Sequence, residues 1–392
     1  MMKKRVLFVI PSLDAGGGEK SLVNLLGIFD FSRYDVDLVL FHKHGLFLGL
    51  LPSEVNVIEP QGDFATFKRP LVKSMARYLL QFKFKLAWHR FKFYKLNRAA
   101  TNKSIGEQLS WKHVSASIPK LESSYDLAIG FLEKSSIYYV VEKVTASMKV
   151  GFIHNDYRLL GMKKQFDLPY FEKLDKIFTV SPSCEQILNE EFPEFARKTS
   201  VMYNVVSTQL LRRMAAETVE MEDSIKLVSV GRLHHQKGFD IAIDACRLLV
   251  DRGYDIRWYV LGEGSERGRL ERLISENNLA EHFLLLGTRS NPYPYMANAD
   301  IYVQPSRFEG KAISIDEAKI LCKPIVVANF STVRDQITHG VDGLISELDP
   351  IALADTIQML VDDAALRDRF VKHLESCSLG TESEVDKLYE LV

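Results

Sequence analysis

Cysteine is scarce in this chain. Four occur in 392 residues, Cys184, Cys246, Cys322 and Cys377, and no two form a C-x-x-C pair. That spacing excludes a disulfide framework and a cysteine zinc site, and suits reduced thiols in a cytosolic protein. Long apolar runs are missing too. None approaches the roughly 18 residues of a membrane span. The first apolar run, residues 6–10, is too short for the core of a secretory signal and is expected to be a strand. Net charge is almost absent, at −1, which argues against nucleic acid as a partner of the whole chain. No segment is of low complexity. A dinucleotide fingerprint is also lacking, because neither Gly16-Gly17-Gly18 nor Gly262-Glu263-Gly264 completes G-x-G-x-x-G.

What is present is a soluble globular composition, 46% hydrophobic and 26% charged. The length exceeds what one hydrophobic core usually holds, so two domains are expected. Short, mostly apolar stretches at 6–10, 36–41, 126–131, 150–154 and 176–180, the first of them unbroken, each end in a polar or glycine turn. Between the first two lies a helical pattern with Leu22, Leu25 and Leu26 on one face. Strand, turn, helix, strand is the grammar of a parallel sheet buried on both faces. The grammar restarts at 225–230 and continues at 257–261, 283–286, 301–304 and 325–328.

The expected organisation is an α/β protein with a first domain over 1–208, including a basic, aromatic insertion at about 64–106. A polar, helix-prone linker follows at 209–224, a second domain at 225–375, and a tail at 376–392 free to return to the first domain. Open parallel sheets bind ligands at the carboxyl ends of their strands. The two Rossmann-like domains are therefore expected to face each other across a cleft.

Three stretches go beyond this grammar. They are Val230-Gly231-Arg232-Leu233-His234-His235-Gln236-Lys237-Gly238-Phe239-Asp240, then Arg307-Phe308-Glu309-Gly310-Lys311-Ala312-Ile313-Ser314-Ile315-Asp316-Glu317-Ala318, then Gly340-Val341-Asp342-Gly343-Leu344-Ile345. Together they resemble glycosyltransferase family 4, whose members are retaining enzymes of the GT-B fold. Glu309 and Glu317 match that group's E-x7-E signature. The resemblance covers essentially the whole second half and continues more weakly through residues 11–19 and 151–157. It implies a nucleotide diphosphate sugar, by the family's habit a UDP-sugar, as donor substrate, with no further cofactor.

The chemistry suits those residues. Transfer leaves a diphosphate with developing negative charge, which preorganised cations must stabilise. Arg232 and Lys237 follow a strand in a loop that Gly231 and Gly238 allow to turn tightly. Arginine forks two phosphate oxygens and lysine adds a point charge. Spacing alone leaves a solvated basic loop equally open; the resemblance implies phosphate binding.

On a continuous helix, Glu309 and Glu317 would stand about 80° apart and need not share a face. Glu309 is expected in the loop after the strand 301–304, with Gly310, Lys311, Ala312, Ile313 and Ser314 opening a helix whose N–H groups meet the diphosphate. The resemblance implies that Glu309 contacts donor-sugar hydroxyls and Glu317 the ribose. The bland alternative is acids placed at a helix N-terminus, a role that fits Asp316 better. Lys311 departs from the family's usual residue there and either adds a phosphate contact or faces water.

Gly17 and Gly18, in the loop after the first strand, are candidate contacts to donor or acceptor. His154 ends the strand 150–154 and is a candidate donor-sugar contact by the resemblance; a satisfied structural histidine is the alternative. Neither it nor either glutamate need be a nucleophile, since retaining relatives are thought to use the leaving phosphate as base. Asp35-Val36-Asp37 is a D-x-D, but it lies at the start of a strand, so no metal requirement is expected.

Between Asp63 and Glu107 there is no acidic residue. The interval holds Lys68, Arg69, Lys73, Arg77, Lys83, Lys85, Arg90, Lys92, Lys95, Arg98 and Lys103 among many aromatics. Met75, Tyr78, Leu79, Phe82 and Leu86 make one helical face. A basic amphipathic helix reads as a segment on an anionic membrane surface; the alternative is an insertion packed on the first domain.

The expected function is transfer of a sugar to a saccharide or lipid-linked saccharide in cell-surface polysaccharide or glycolipid assembly, by a cytoplasmic enzyme peripheral to the membrane. Three rivals stand beside it: a silent GT-B subunit of a transferase complex, a GT-B nucleotide-sugar epimerase, and a nicotinamide dehydrogenase. The intact Arg232, Lys237, Glu309 and Glu317 argue against the first. The missing fingerprint argues against the last.

Overall fold

A computed structural model describes residues 3–14, 16–100 and 102–392, with Lys103 described in backbone only. The expected membrane contact of Lys103 therefore lies outside the described side chains. The chain divides into two compact units. One comprises Met1–Asp14, Leu25–Tyr203 and Ser383–Val392; the other comprises Ala15–Asn24 and Asn204–Glu382.

The first unit is built on a seven-stranded sheet in the order β3-β2-β1-β4-β5-β6-β7. Its strands are β1 (Lys4–Ile10), β2 (Tyr34–Leu40), β3 (Asn56–Ile58), β4 (Ser124–Gly130), β5 (Thr145–Ile153), β6 (Lys176–Thr179) and β7 (Thr199–Val201). All pairings are parallel. Val6 through Ile10 are wholly buried, as a strand covered on both faces requires.

The second unit carries six parallel strands in the order β10-β9-β8-β11-β12-β13. They are β8 (Ile225–Val230), β9 (Ile256–Leu261), β10 (Phe283–Gly287), β11 (Ile301–Gln304), β12 (Ile325–Ala328) and β13 (Leu344–Ser346). Alternate residues feed two separate cores. Leu227, Trp258, Ile301 and Val326 join one; Val228, Tyr259, Tyr302 and Val327 join the other. This period of two explains why the strands read as unbroken apolar runs.

Three strands escape the sequence pattern: β3, β7 and β13. Each has three residues and lies at a sheet edge, too short to show alternation. The stretch 209–224 holds most of the helix Thr208–Ala215, capped by Ser207.

The basic stretch is not one amphipathic helix. It forms the helices Asp63–Phe67, Leu71–Leu80 and Phe84–Ala99, followed by Lys103–Ser115. Of the expected lipid-facing residues, Tyr78 is fully buried and donates to the Asp63 carbonyl at 2.6 Å. Met75 and Leu86 pack on the core of the first unit. Arg90 is also buried, its guanidinium 5.4 Å from the ring centroids of Phe67 and Phe93. The chain breaks between the two long helices at Phe82, whose φ of 56° is left-handed.

Candidate functional site at the switch point of the second sheet

In the second sheet the strand order reverses between β8 and β11, which run side by side. Loops leaving two such carboxyl ends part to opposite faces and leave a crevice, the usual ligand site of an open parallel sheet. The loop after β8 carries Gly231, Arg232 and Lys237. The loop after β11 carries Glu309, Gly310, Lys311 and Ala312 and enters the helix Ile313–Ile320.

The two loops are locked together. Gly238 has a φ of +68°, and a Cβ there would stand 2.0 Å from the Pro305 carbonyl oxygen, so no larger residue fits. Arg307 forks Asp240 at 2.8 and 3.0 Å and donates to the His235 carbonyl at 2.8 Å. Burial would raise the Asp240 carboxyl, but Arg307 and Arg269 hold it below the usual carboxylate range.

Lys237 and Glu309 meet across this junction, Nζ to Oε1 at 2.6 Å. The same oxygen accepts from the Ser306 hydroxyl at 2.7 Å and Gln304 Nε2 at 3.3 Å. Gln304 in turn accepts from the hydroxyls of Tyr302 at 2.6 Å and Ser314 at 3.1 Å. A buried carboxylate is tolerable only with such company. Arg232 differs: it is exposed and has no side-chain hydrogen bond or ion pair among the described residues.

The helix begins at Ile313 rather than Gly310. Gln336 accounts for the difference: its Oε1 accepts the Ala312 N–H at 2.8 Å and its Nε2 donates to the Ala312 carbonyl at 2.9 Å, holding that residue extended. Lys311 does not face water, as its ammonium pairs with Asp316 at 2.5 Å. Asp316 lies in the first helical turn, as expected.

Glu317 is completely buried. Its Oε1 accepts from Lys20 Nζ at 2.5 Å and from the Tyr293 hydroxyl at 3.0 Å. Its Oε2 has no hydrogen-bond partner among the described residues. Lys20 stands on the helix Gly17–Gly27, which brings Gly17 beside Ile313, 3.7 Å from a Cβ built on the glycine. Gly18 follows in the same turn. Of the expected residues, all but His154 thus belong to the second unit. Sequence reading missed Lys20 and Tyr293. A lysine in the first turns of a helix, where the dipole disfavours cations, was the available signal.

His154 is buried just past β5 in the first unit. Its N–H donates to Glu133 Oε2 at 3.2 Å, and Asn155 Nδ2 donates to Glu133 Oε1 at 3.2 Å. The ring packs on Phe131 and Phe152, with centroids 5.2 and 5.7 Å away. Glu133 follows β4, where the order of the first sheet reverses against β1. Sequence reading passed over it, although an acid directly after a strand was visible. In the D-x-D, Asp37 accepts from Arg5 at 3.1 Å, Tyr125 at 2.7 Å and Asn56 at 2.7 Å. Among the described residues no group of three or more His, Cys, Asp or Glu is gathered as metal ligands.

Residues 212–375 match the family described as glycosyl transferases group 1. Over 371 residues the chain is 25% identical to the N-acetylgalactosamine-N,N'-diacetylbacillosaminyl-diphospho-undecaprenol 4-alpha-N-acetylgalactosaminyltransferase of Campylobacter jejuni, covering 94% of this chain and 93% of that protein. It is 28% identical over 193 residues to the alpha-D-kanosaminyltransferase of Streptomyces kanamyceticus, covering 48% of this chain and 50% of that protein. The structure is similar to that of Anabaena Alr3699/HepE in complex with UDP and glucose, with a TM-score of 0.70 and 17% identity, covering 99% of this chain and 98% of that one. The chain is a protein of the GT-B fold, related to several families of sugar transferases.

Proposed function

We propose that this protein is a retaining, metal-independent glycosyltransferase. It moves a sugar from a UDP-sugar to a saccharide or lipid-linked saccharide, in cell-surface polysaccharide or glycolipid assembly. The observation that carries the reading is the set of groups left unsatisfied among the described residues at the switch point of the second sheet: an unpaired Arg232 and a buried Glu317 with one oxygen unengaged. A ligand bearing both anionic and hydroxyl groups answers both, and a nucleotide sugar is such a ligand. HepE was crystallised with UDP and glucose, and the Campylobacter relative is named for a diphospho-undecaprenol acceptor.

In this reading Arg232 and Lys237 stabilise the charge growing on the departing diphosphate. Lys237 is already paired with Glu309, so Arg232 makes the larger difference to an incoming anion. Glu309 receives donor-sugar hydroxyls and Glu317 the ribose. Gly17, Gly18, Gly231 and residues 310–314 bring backbone close to the donor. His154 is a donor-sugar contact by resemblance and by its place after β5. The acceptor hydroxyl gives its proton to the leaving phosphate as the new glycosidic bond forms on the same face. The test is a panel of uridine, guanosine and adenosine nucleotide sugars in thermal denaturation, each with and without EDTA. Stabilisation by uridine donors alone, unaffected by chelation, is expected. Stabilisation confined to another base, or abolished by EDTA, overturns that part of the reading.

A second observation favours work at a membrane surface. The turn between the helices Leu71–Leu80 and Phe84–Ala99 exposes Leu80 and Phe82, each at 81%, and Phe84 close by. Phenylalanine seldom adopts the left-handed backbone found at Phe82, and its ring points to solvent at a real energetic cost. Trp88 and Phe91 are exposed along the next helix, with Lys92 and Lys95 over their rings at 5.6 and 5.7 Å. An apolar tip followed by a helix that carries exposed aromatics and lysines suits an anionic bilayer, where each cation contributes about 1 kcal/mol. Among the described residues no helix is long and apolar enough to cross a membrane. Sedimentation with anionic and neutral vesicles tests the reading. Leu80→Ser with Phe82→Asn and Phe84→Ser, and separately Lys85→Glu with Lys92→Glu and Lys95→Glu, should each release the protein from anionic vesicles. Binding equal to wild type in both variants would show that the tip is not the contact.

A further inference from the structure

Glu317 keeps unequal company at its two oxygens. Oε1 is held by an ammonium and a phenol, while Oε2 is buried without a donor among the described residues. Native proteins retain few such atoms, because a desolvated acceptor left unpaired is costly. One oxygen fixed and one left open is how a carboxylate is prepared for an incoming hydroxyl.

The fixing groups come from elements far apart in sequence. Lys20 lies near the start of the helix Gly17–Gly27, and its side chain is only 14% exposed. Its ammonium stands 4.5 Å from the Tyr293 ring centroid, so the aromatic face supports the charge while the hydroxyl reaches the carboxylate. Burial alone would lower the Lys20 pKa, but Glu317 and Tyr293 more than reverse it and the net direction is upward. Burial first, and Glu317 second, push the Tyr293 phenol up, so it remains a donor. Enclosed in this way, Lys20 is poorly placed to grip a phosphate itself.

We propose that Lys20 and Tyr293 are positioning residues for the donor: they pin Oε1 of Glu317, supply its counter-charge and aim Oε2 at the hydroxyls of the nucleotide's ribose. The inference rests on the donor reading above and adds to it the two groups that make Glu317 competent.

The test compares binding of UDP and 2′,3′-dideoxyuridine diphosphate by calorimetry. Wild type should prefer UDP by roughly 10- to 150-fold, the worth of a hydrogen bond to a charged group. Lys20→Met should lose most of that preference, Lys20→Arg should keep most of it, and Tyr293→Phe should fall between. A structural role alone would alter melting without altering discrimination between the two nucleotides. A folded Lys20→Met with wild-type preference overturns the proposal. Where that variant fails to fold, Tyr293→Phe, which removes a single hydroxyl, decides the question by the same measurement: wild-type preference in it overturns the proposal. Wild type binding both nucleotides equally ends this inference and the ribose role of Glu317, and leaves the rest of the donor reading standing. Wild type binding neither ends both.

Discussion

Arg232 and Lys237 belong to one loop and carry one charge each, yet their surroundings set them apart. Arg232 is exposed and has no side-chain partner among the described residues, so Arg232→Ala should leave stability within about 0.5 kcal/mol of wild type. If Arg232 meets the diphosphate in the transition state, transfer should slow by roughly 10- to 150-fold, from about 1.5–3 kcal/mol of lost charge contact. Lys237→Ala is different, because it strands the buried Glu309. Melting should drop along with activity, by about 3 kcal/mol or more for a buried pair broken on one side. Unfolding curves and initial rates on the two proteins separate the cases, and equal stability losses would contradict the geometry. Spacing and resemblance were enough to single out Arg232, Lys237, Glu309 and Glu317. Their state was not legible: pairing of Lys237 with Glu309, or of Lys20 with Glu317, joins residues 72 and 297 positions apart, and no local pattern encodes such a meeting.

Elements of regular length announced themselves. Buried strands of four or more residues read as apolar runs, and the glycine turns marked their ends. The basic stretch misled at this scale, because an apolar face at helical spacing looks the same whether it meets a bilayer or a protein core. Tyr78 meets the core, whereas Phe82 and Phe84 at the turn and Trp88 and Phe91 along the next helix are exposed. The same helices hold a titrating contact. His89 and His113 approach Nδ1 to Nδ1 at 2.9 Å, so one ring donates and the other accepts, which requires at least one neutral imidazole. Burial, then His89 and Lys112, push His113 down to about 4, and burial with Lys112 and Lys85 lowers His89 as well. The unfolded chain takes up these protons near pH 6.5, before the folded one does. Stability is therefore complete above about pH 6.5 and declines as pH falls toward 4, by at most about 3 kcal/mol from His113. Urea midpoints at pH 7.5, 6.5, 5.5 and 4.5 should show that decline, and His113→Asn should flatten it. A slope unchanged in the variant would place the acid sensitivity elsewhere.

At the scale of the molecule, two compact units, each built on its own sheet, imply two cooperative events, and a chain of this kind need not unfold in one step. The second unit is assembled from Asn204–Glu382 together with Ala15–Asn24. That distribution gathers Gly17, Gly18, Lys20, Arg232, Lys237, Glu309 and Glu317 in one folding unit, although the first three are about two hundred residues or more from the rest. A nucleotide held by these groups stabilises what it binds, by about 2.7 kcal/mol at a hundred times its dissociation constant. For a unit of this size that amounts to roughly 5–10 °C in melting temperature. Scanning calorimetry with UDP should therefore raise one transition and leave the other near its unliganded position. Glu317→Gln should shrink the shift, because an amide presents only one acceptor oxygen where the carboxylate offers two. Should UDP raise both transitions equally in the wild-type protein, nucleotide binding would draw on the first unit as strongly as the second, and the assignment of the donor site to the β8–β11 switch point would fail.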